Sequence, residues 1–397
     1  MNRKENSKGI LLILTLGVFS IINTEMGVVG ILPLLSQYFG VTISKAGLFV
    51  SMFALAVAVS GPIMPLIFSG INRKKVMIMV LSIFVVSSLV QALTTNFYVA
   101  IIARIIPALF HPVYVSLAFS VAGKTVSEKE APKAAAKVMM GVSAGMVLGV
   151  PIVSFIANTI SLQSAMIFFA VVNGIVIIAT CIFVPSISVT EKMSYGDQLK
   201  VLKLPELWLA ILAIIFLNGS IFGVYSYFAD YMTGVTGFSE SSVSILLFVY
   251  GLANIVGNMI AGKGLSEKPL RLVRIFPVLL AVAYICLFIL GEFKLSTAII
   301  TLLWGILAGI AGNINQYWIT SVIPKAPDFG NGLFLAATNL GTTIGTTVCG
   351  AFIANLGSNY MLVGGMCLLI ISMIFILIRT KSIEKVKKVD AIQLIRE

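Results

Sequence analysis

Apolar runs of about 20 residues, the length a helix needs to cross a bilayer, recur from one end of the chain to the other, broken only by short polar or Gly/Pro-rich stretches. The runs fall at 10–36, 45–69, 75–93, 97–123, 134–158, 164–185, 206–232, 241–264, 271–291, 296–322, 330–356 and 360–379. They predict an all-α membrane protein of twelve transmembrane helices. Barrel strands would alternate polar and apolar residues, and no stretch does so. Only 11% of the 397 residues are charged and 59% are hydrophobic, against about 25% charged in soluble domains. The leading "MNRKENSKG" and the run behind it resemble a secretion signal. The run continues too far and no small-residue cleavage site follows, so it reads as the first span.

The net charge of +12 would suggest nucleic acid in a soluble protein. Here the basic residues sort by side. The N-terminal tail, the loops after spans 2, 4, 8 and 10, the link after span 6 and the C-terminal tail hold 24 of the 27 Lys and Arg residues, and all lie on one side of a twelve-span topology. The other side keeps Lys45 and Lys294, and Arg104 lies inside a span. By the positive-inside rule both termini are expected in the cytoplasm and the protein in the cytoplasmic membrane. No nucleic-acid partner is needed. Cys181, Cys286, Cys349 and Cys367 are scattered through apolar segments without metal spacing and read as small core residues.

A longer break, "SISVTEKMSYGDQLKVLKLP", divides the spans six and six. "FALAVAVSGPI" from Phe53 aligns with "YGLANIVGNMI" from Tyr250, an offset of 197, and "GMVLG" from Gly145 with "GTTIG" from Gly341, an offset of 196. The expected organisation is an N-terminal six-helix bundle (1–185), a cytoplasmic linker (186–205), a second six-helix bundle (206–380) and a cytoplasmic tail (381–397). Two pseudo-symmetric bundles with a site between them near the midplane is a transporter plan.

Glu25 is a carboxyl well inside the first span. A charge at the bilayer centre costs about 2.5–3.5 kcal/mol on insertion scales, so the residue calls for a use. Facing an internal chamber, it would take up a proton from one side and release it to the other. Arg104 is the one cation within a span, a structural counter-ion for Glu25 or for backbone carbonyls, or a switch acting on a carboxylate as helices move. His111, the only histidine, lies seven residues on and shares its helical face. A hydrogen-bonded core residue and a proton carrier are both open for it. Pro107 and Pro112 remove two backbone donors from the same span, which favours a bend. Span 5 carries Gly141, Gly145 and Gly149 followed by Pro151, a spacing that lets another helix approach closely. Were that helix in the other bundle, the seam would seal the chamber. The second half offers Asn218, Phe222, Tyr225, Asn254, Asn258, Asn313, Gln316 and Asn339. Such amides glue helices together or, beside aromatic rings, bind an organic solute. One histidine excludes zinc-hydrolase motifs, and neither a phosphate-binding loop nor a nucleophile elbow occurs. No enzyme, cofactor or metal is expected.

The stretches "TEMGVVGILPLL" (Thr24, Glu25, Gly30, Pro33), "ARIIPALFHPVY", "GVSAGMVLGVP" and "GFSESSVSILLFVYGLANIVGN" resemble the major facilitator superfamily. The likeness is to its twelve-span drug:proton antiporter branch, among the sugar-efflux and purine-efflux permeases, and it covers essentially the whole chain. It implies proton-coupled efflux of small organic molecules by alternating access. Glu25, Arg104 and His111 would serve proton coupling, the span 5 glycines with Pro151 form the antiporter motif, and Arg73, Lys74 and Lys75 form a cytoplasmic gating loop. A monomer partnered by solute, protons and lipid is implied. Import or uniport of a sugar or nucleoside on the same fold is the alternative. Two departures stand out. Ser69 and Gly70 occupy the places of the family's loop Asp and Arg, which puts its charge network in question. Pro112 follows the histidine where such relatives tend to have glycine.

Overall fold

The computed structural model describes residues 3–41, 43–46, 48–186 and 200–396; the central part of the linker and the side chains at the end of the tail lie outside them. Twelve helices carry the fold: α1 (Arg3–Gly27), α2 (Leu48–Ser60), α3 (Arg73–Leu93), α4 (Phe97–Lys124), α5 (Ala131–Thr159), α6 (Leu162–Phe183), α7 (Pro205–Ser226), α8 (Glu240–Glu267), α9 (Pro269–Leu290), α10 (Lys294–Thr320), α11 (Pro327–Leu356) and α12 (Met361–Arg396). Among the described residues, ten helices are long and apolar enough to cross a membrane by length and composition. The other two of the twelve depart for local reasons. α2 stops at a turn beginning at Gly61 and resumes as Met64–Phe68. α11 is 30 residues long but diluted by Gly, Thr and Asn.

Lipid offers backbone groups no partner, so each span satisfies them within its own helix. Side chains finish several starts: Asn72 caps α3, Asn96 caps α4, Ser161 caps α6 and Ser239 caps α8. α4 runs continuously through Pro107 and Pro112. Two spans are interrupted at matching places. α1 ends at Gly27, passes through a 3-10 turn (Val28–Ile31) and resumes as Leu32–Phe39; α7 ends at Ser226 and resumes as Phe228–Gly234.

The packing repeats after six helices. α1 lies along α5, α2 on α4 and α3 along α6; α7 lies along α11, α8 along α10 and α9 on α12. The glycine seam of α5 faces α1, inside one half. A Cβ on Gly141 would stand 2.3 Å from the Thr15 carbonyl oxygen, one on Gly145 would meet Ile22, and one on Gly149 would meet Asn23. The other half copies this seam: a Cβ on Gly341 would lie 2.4 Å from the Ile215 oxygen and one on Gly345 2.0 Å from the Gly219 oxygen. The seam therefore does not join the halves, because the glycines occupy the face of α5 turned to α1 while Ser143 and Val147 occupy the face turned to α8.

The halves meet through α5 on α8 and α10, and through α2 and α4 on α11. At the basic end Gly262 leaves room for Ala136, Gly332 for the Gly61 backbone, and Phe119 packs edge-on against Phe334. Near mid-depth Gly251 makes room for Val147, and the Ser143 hydroxyl donates to Asn254 Oδ1 at 2.5 Å. All of these contacts lie between mid-depth and the basic end of the helices.

A candidate proton and solute site at the break in the first helix

The end of α1 leaves carbonyl oxygens without intrahelical partners. Arg104 of α4 supplies donors there. Its Nη1 donates to the Thr24 carbonyl (2.8 Å), its Nη2 to the Glu25 carbonyl (2.7 Å) and its Nε to the Phe49 carbonyl of α2 (3.3 Å). A cation at a helix C-terminus is also favoured by the helix dipole. The guanidinium is buried and sits 4.7 Å from the Phe53 ring centre, a cation–π contact. Of the pairings open to it in the sequence, Arg104 takes the backbone carbonyls.

The Glu25 carboxylate turns to His111 instead. Oε2 lies 3.1 Å from His111 Nε2, with the histidine side chain 3% exposed and the glutamate 13%. The two are at ion-pair distance but not aligned as a hydrogen bond, and among the described residues the His111 Nδ1 has no hydrogen-bond partner. The Phe53 ring packs edge-on against the imidazole. Behind this pair the polar face of α1 is tied to α6: Ser20 Oγ donates to Asn173 Oδ1, and Asn173 Nδ2 donates to Thr24 Oγ1. Pro151 lies two residues past Gly149 on α5, at the level where that helix meets the end of α1. A largely buried acid beside a buried imidazole, held on a broken helix by a buried arginine, can exchange one proton between two neighbouring groups.

The polar residues of the second half fall into two sets. Asn218, Asn258 and Asn313 are buried and bonded to neighbouring helices. Asn218 Nδ2 donates to the Thr338 carbonyl and to Thr342 Oγ1, and Asn313 Nδ2 donates to Asn258 Oδ1 at 2.6 Å. Phe222, Tyr225, Asn254, Gln316 and Asn339 are half-buried. Gln316 Nε2 donates to Asn331 Oδ1, and Asn339 Nδ2 to the Leu335 carbonyl of its own helix. Tyr225 stacks on Tyr250 with centroids 4.9 Å apart, and both rings border the buried Trp304. These residues are not gathered into one cluster: Asn218 ties α7 to α11, Asn313 ties α10 to α8, and Gln316 ties α10 to α11.

The loop after α2 keeps a charge contact by another route. Arg73 Nη1 lies 2.9 Å from Asp328 Oδ1 and donates to Ser120 Oγ, also at 2.9 Å, so the missing loop carboxylate is replaced by one from the start of α11. Both side chains are buried. Lys74 Nζ donates to the Cys181 carbonyl, and the Lys75 amide is capped by Asn72. Sequence reasoning passed over Asp328 and Ser143. An acid in the first turn of a helix is ordinary, and a serine among glycines carries no signal of its own.

Comparison with known proteins agrees with this architecture. The family described as Major Facilitator Superfamily matches residues 14–328. The chain is 28% identical over 352 residues to the MFS-type transporter YtbD of Bacillus subtilis strain 168, covering 87% of this chain and 89% of that one. It is 26% identical over 369 residues to the inner membrane transport protein YdhP of Escherichia coli strain K12, covering 91% and 95%. The crystal structure of the human organic anion transporter MFSD10 superimposes with a TM-score of 0.78 at 15% identity, over 93% of this chain and 99% of that one, a likeness of fold. Matched over far more than half its length, the chain belongs to the Major Facilitator Superfamily and is a multi-pass membrane transporter of small solutes, not an enzyme.

Proposed function

We propose that the protein exports small organic molecules across the cytoplasmic membrane in exchange for protons, its two bundles (1–185 and 206–380) rocking about a central chamber as a monomer with both termini in the cytoplasm. The observation that carries this reading is the Glu25–His111 pair, at 3.1 Å. A carboxyl placed among apolar spans is tolerated where it is partnered and used. Here its neighbour is an imidazole, whose two ring nitrogens can each accept or donate a proton. Arg104 acts as a positioning residue: through the Thr24 and Glu25 carbonyls it fixes the segment that carries the acid. Phe222, Tyr225, Gln316 and Asn339, being half-buried, offer rings and amides to a flat, neutral or weakly polar solute, while Asn218, Asn254, Asn258 and Asn313 are bonded to neighbouring helices and hold the wall behind them.

The closed basic end corresponds to a conformer open to the outside. Proton entry from that side would load Glu25 and His111 before the bundles rock, and the Arg73–Asp328 contact would break as the cytoplasmic end opens. The test is uptake into inside-out vesicles, acid inside, of a radiolabelled panel of sugars, nucleosides and lipophilic cations. Gradient-dependent accumulation of one class, lost in Glu25→Gln, is the expected result. Undiminished gradient-driven uptake in Glu25→Gln would remove the acid from the mechanism. Accumulation only with the gradient reversed would favour import.

A further inference from the structure

The two lateral seams between the halves are related by the internal repeat but are not chemically alike. On one side α5 meets α8 and α10. Ser143 is 94% buried; its hydroxyl donates to Asn254 Oδ1 at 2.5 Å and accepts from Asn258 Nδ2 at 2.8 Å. Asn313 Nδ2 extends the chain to Asn258 Oδ1 at 2.6 Å and also donates to the Gly309 carbonyl. Bare backbone packs beneath it: a Cβ on Gly309 would lie 2.0 Å from the Asn254 carbonyl oxygen. Ser143 lies twelve residues into α5, about 18 Å from its basic end at 1.5 Å per residue, and Asn254 lies midway along α8. The chain of bonds thus sits at mid-depth.

On the other side α2 meets α11. The repeat offsets of 196 and 197 carry Ser143 onto Asn339, Asn254 onto Val57 and Asn258 onto Gly61. The tight contact Gly262–Ala136 likewise has its image in Pro65–Gly332, where a Cβ on Gly332 would meet the Pro65 ring at 3.1 Å. Yet the polar chain has no image. Val57 is apolar, Gly61 has no side chain, Asn339 donates to its own helix, and Ser116, the image of Asn313, is buried with a hydroxyl that has no hydrogen-bond partner among the described residues. Backbone on backbone, with Gly61 against Gly332 and Ala336, is what remains. A buried hydrogen-bonded chain in a water-poor setting is directional and holds one register, whereas facing glycine backbones can slide.

We propose that the rocking is hinged on one side: the Ser143–Asn254–Asn258–Asn313 chain is a fixed pivot that stays bonded in both conformers, and the α2–α11 seam is the one that slips. This assigns Asn254, Asn258 and Asn313 chiefly to the pivot, and it rests on the alternating-access reading above.

The test uses the full chain with Cys181, Cys286, Cys349 and Cys367 replaced by alanine and Phe334→Cys as reporter of the cytoplasmic seal, labelled in inside-out vesicles with a membrane-impermeant maleimide. Before the maleimide is added, one sample carries Ser143→Cys/Asn254→Cys joined by a short bis-methanethiosulfonate. A second carries Gly61→Cys/Ala336→Cys joined as a disulfide, for which the Cβ separation of 3.5 Å is suitable. The first link is expected to leave the reporter's labelling rate within about twofold of the unlinked protein, and the second to lower it about tenfold or more, because only the second stops the population exchange. Equal loss in both, or loss in the first alone, would overturn the pivot. A reporter silent in the unlinked protein would overturn the pivot and the alternating-access reading together. Hydrogen–deuterium exchange on the unmodified protein guards against variants that fail to fold. When the pH is stepped to open the cytoplasmic end, peptides covering 57–65 and 328–336 should gain deuterium while those covering 139–147 and 250–258 keep their protection. Equal gains in all four would count against a one-sided hinge.

Discussion

Arg104 and His111 share a face of one helix and divide the work at the break in α1. The arginine holds three carbonyls, a task for a planar fork of donors that lysine cannot copy. Arg104→Lys is therefore expected to lower stability by about 1.5–3 kcal/mol, the range for hydrogen bonds to a charged group, seen as an earlier thermal midpoint in detergent. Flux should fall with it, since the backbone bearing Glu25 loosens. His111→Asn keeps a polar side chain but not a titratable one. The expected outcome is a protein of near-normal thermal stability whose proton-driven uptake drops about tenfold or more, as for the loss of a positioned proton carrier. A variant with normal coupling would reduce His111 to a core residue. That Glu25 and His111 stand out is plain from their types alone, an acid and an imidazole amid aliphatic residues. That Arg104 passes over the nearby carboxylate for the carbonyls beside it is not, because the preference depends on where α1 stops.

Among the helices, the glycine seams set how closely neighbours approach. In α11 the space above Gly345 is occupied by backbone: an added Cβ would stand 2.0 Å from the Gly219 oxygen and 2.7 Å from the Gly219 Cα. Backbone cannot swing aside, so Gly345→Ala should cost about 1–3 kcal/mol or more through overpacking and reduce the folded yield. In α5 the atom facing Gly149 is the Asn23 side-chain oxygen at 2.9 Å. Gly149→Ala is expected to be milder, with Asn23 rotating away. Gly9→Ala meets nothing within 4 Å and serves as the neutral control. Size-exclusion profiles and thermal midpoints of the three would rank them, and equal behaviour of Gly345→Ala and Gly9→Ala would contradict the seam's geometry. The i, i+4 spacing in span 5 announces a close approach to some helix. Which helix follows from the rotation of α5, fixed by Ser143 and Val147 on its opposite side.

For the whole molecule, the closed basic end depends on Arg73 and Asp328, a buried pair that joins residues 255 positions apart. Removing one partner of such a pair leaves the other charge uncompensated, a loss of about 3–5 kcal/mol. Asp328→Asn should therefore shift the population toward the conformer open at the basic end, read as faster labelling of a Phe334→Cys reporter from that side. The swap Arg73→Asp/Asp328→Arg should recover part of the difference. A Phe334→Cys reporter unmoved by Asp328→Asn would mean that the glycine contacts and the Phe119–Phe334 pair hold the end closed without it.

The number of spans, the six-plus-six repeat and the isolation of Glu25 all follow from the order of residues, because hydropathy and composition are properties of short windows. Ten of the twelve spans stand out on apolar length, and the repeat offset reappears in the paired seams Gly145–Ile22 and Gly341–Asn218. The pairings that give those residues their roles had to wait for the folded chain: Arg104 on carbonyls, Arg73 on Asp328, Ser143 between two asparagines. In a span no water competes for a polar group, so its partner is whichever donor or acceptor the crossing helices bring within about 3 Å. That depends on helix rotation and on where α1, α2 and α7 break, quantities set jointly by residues hundreds of positions apart.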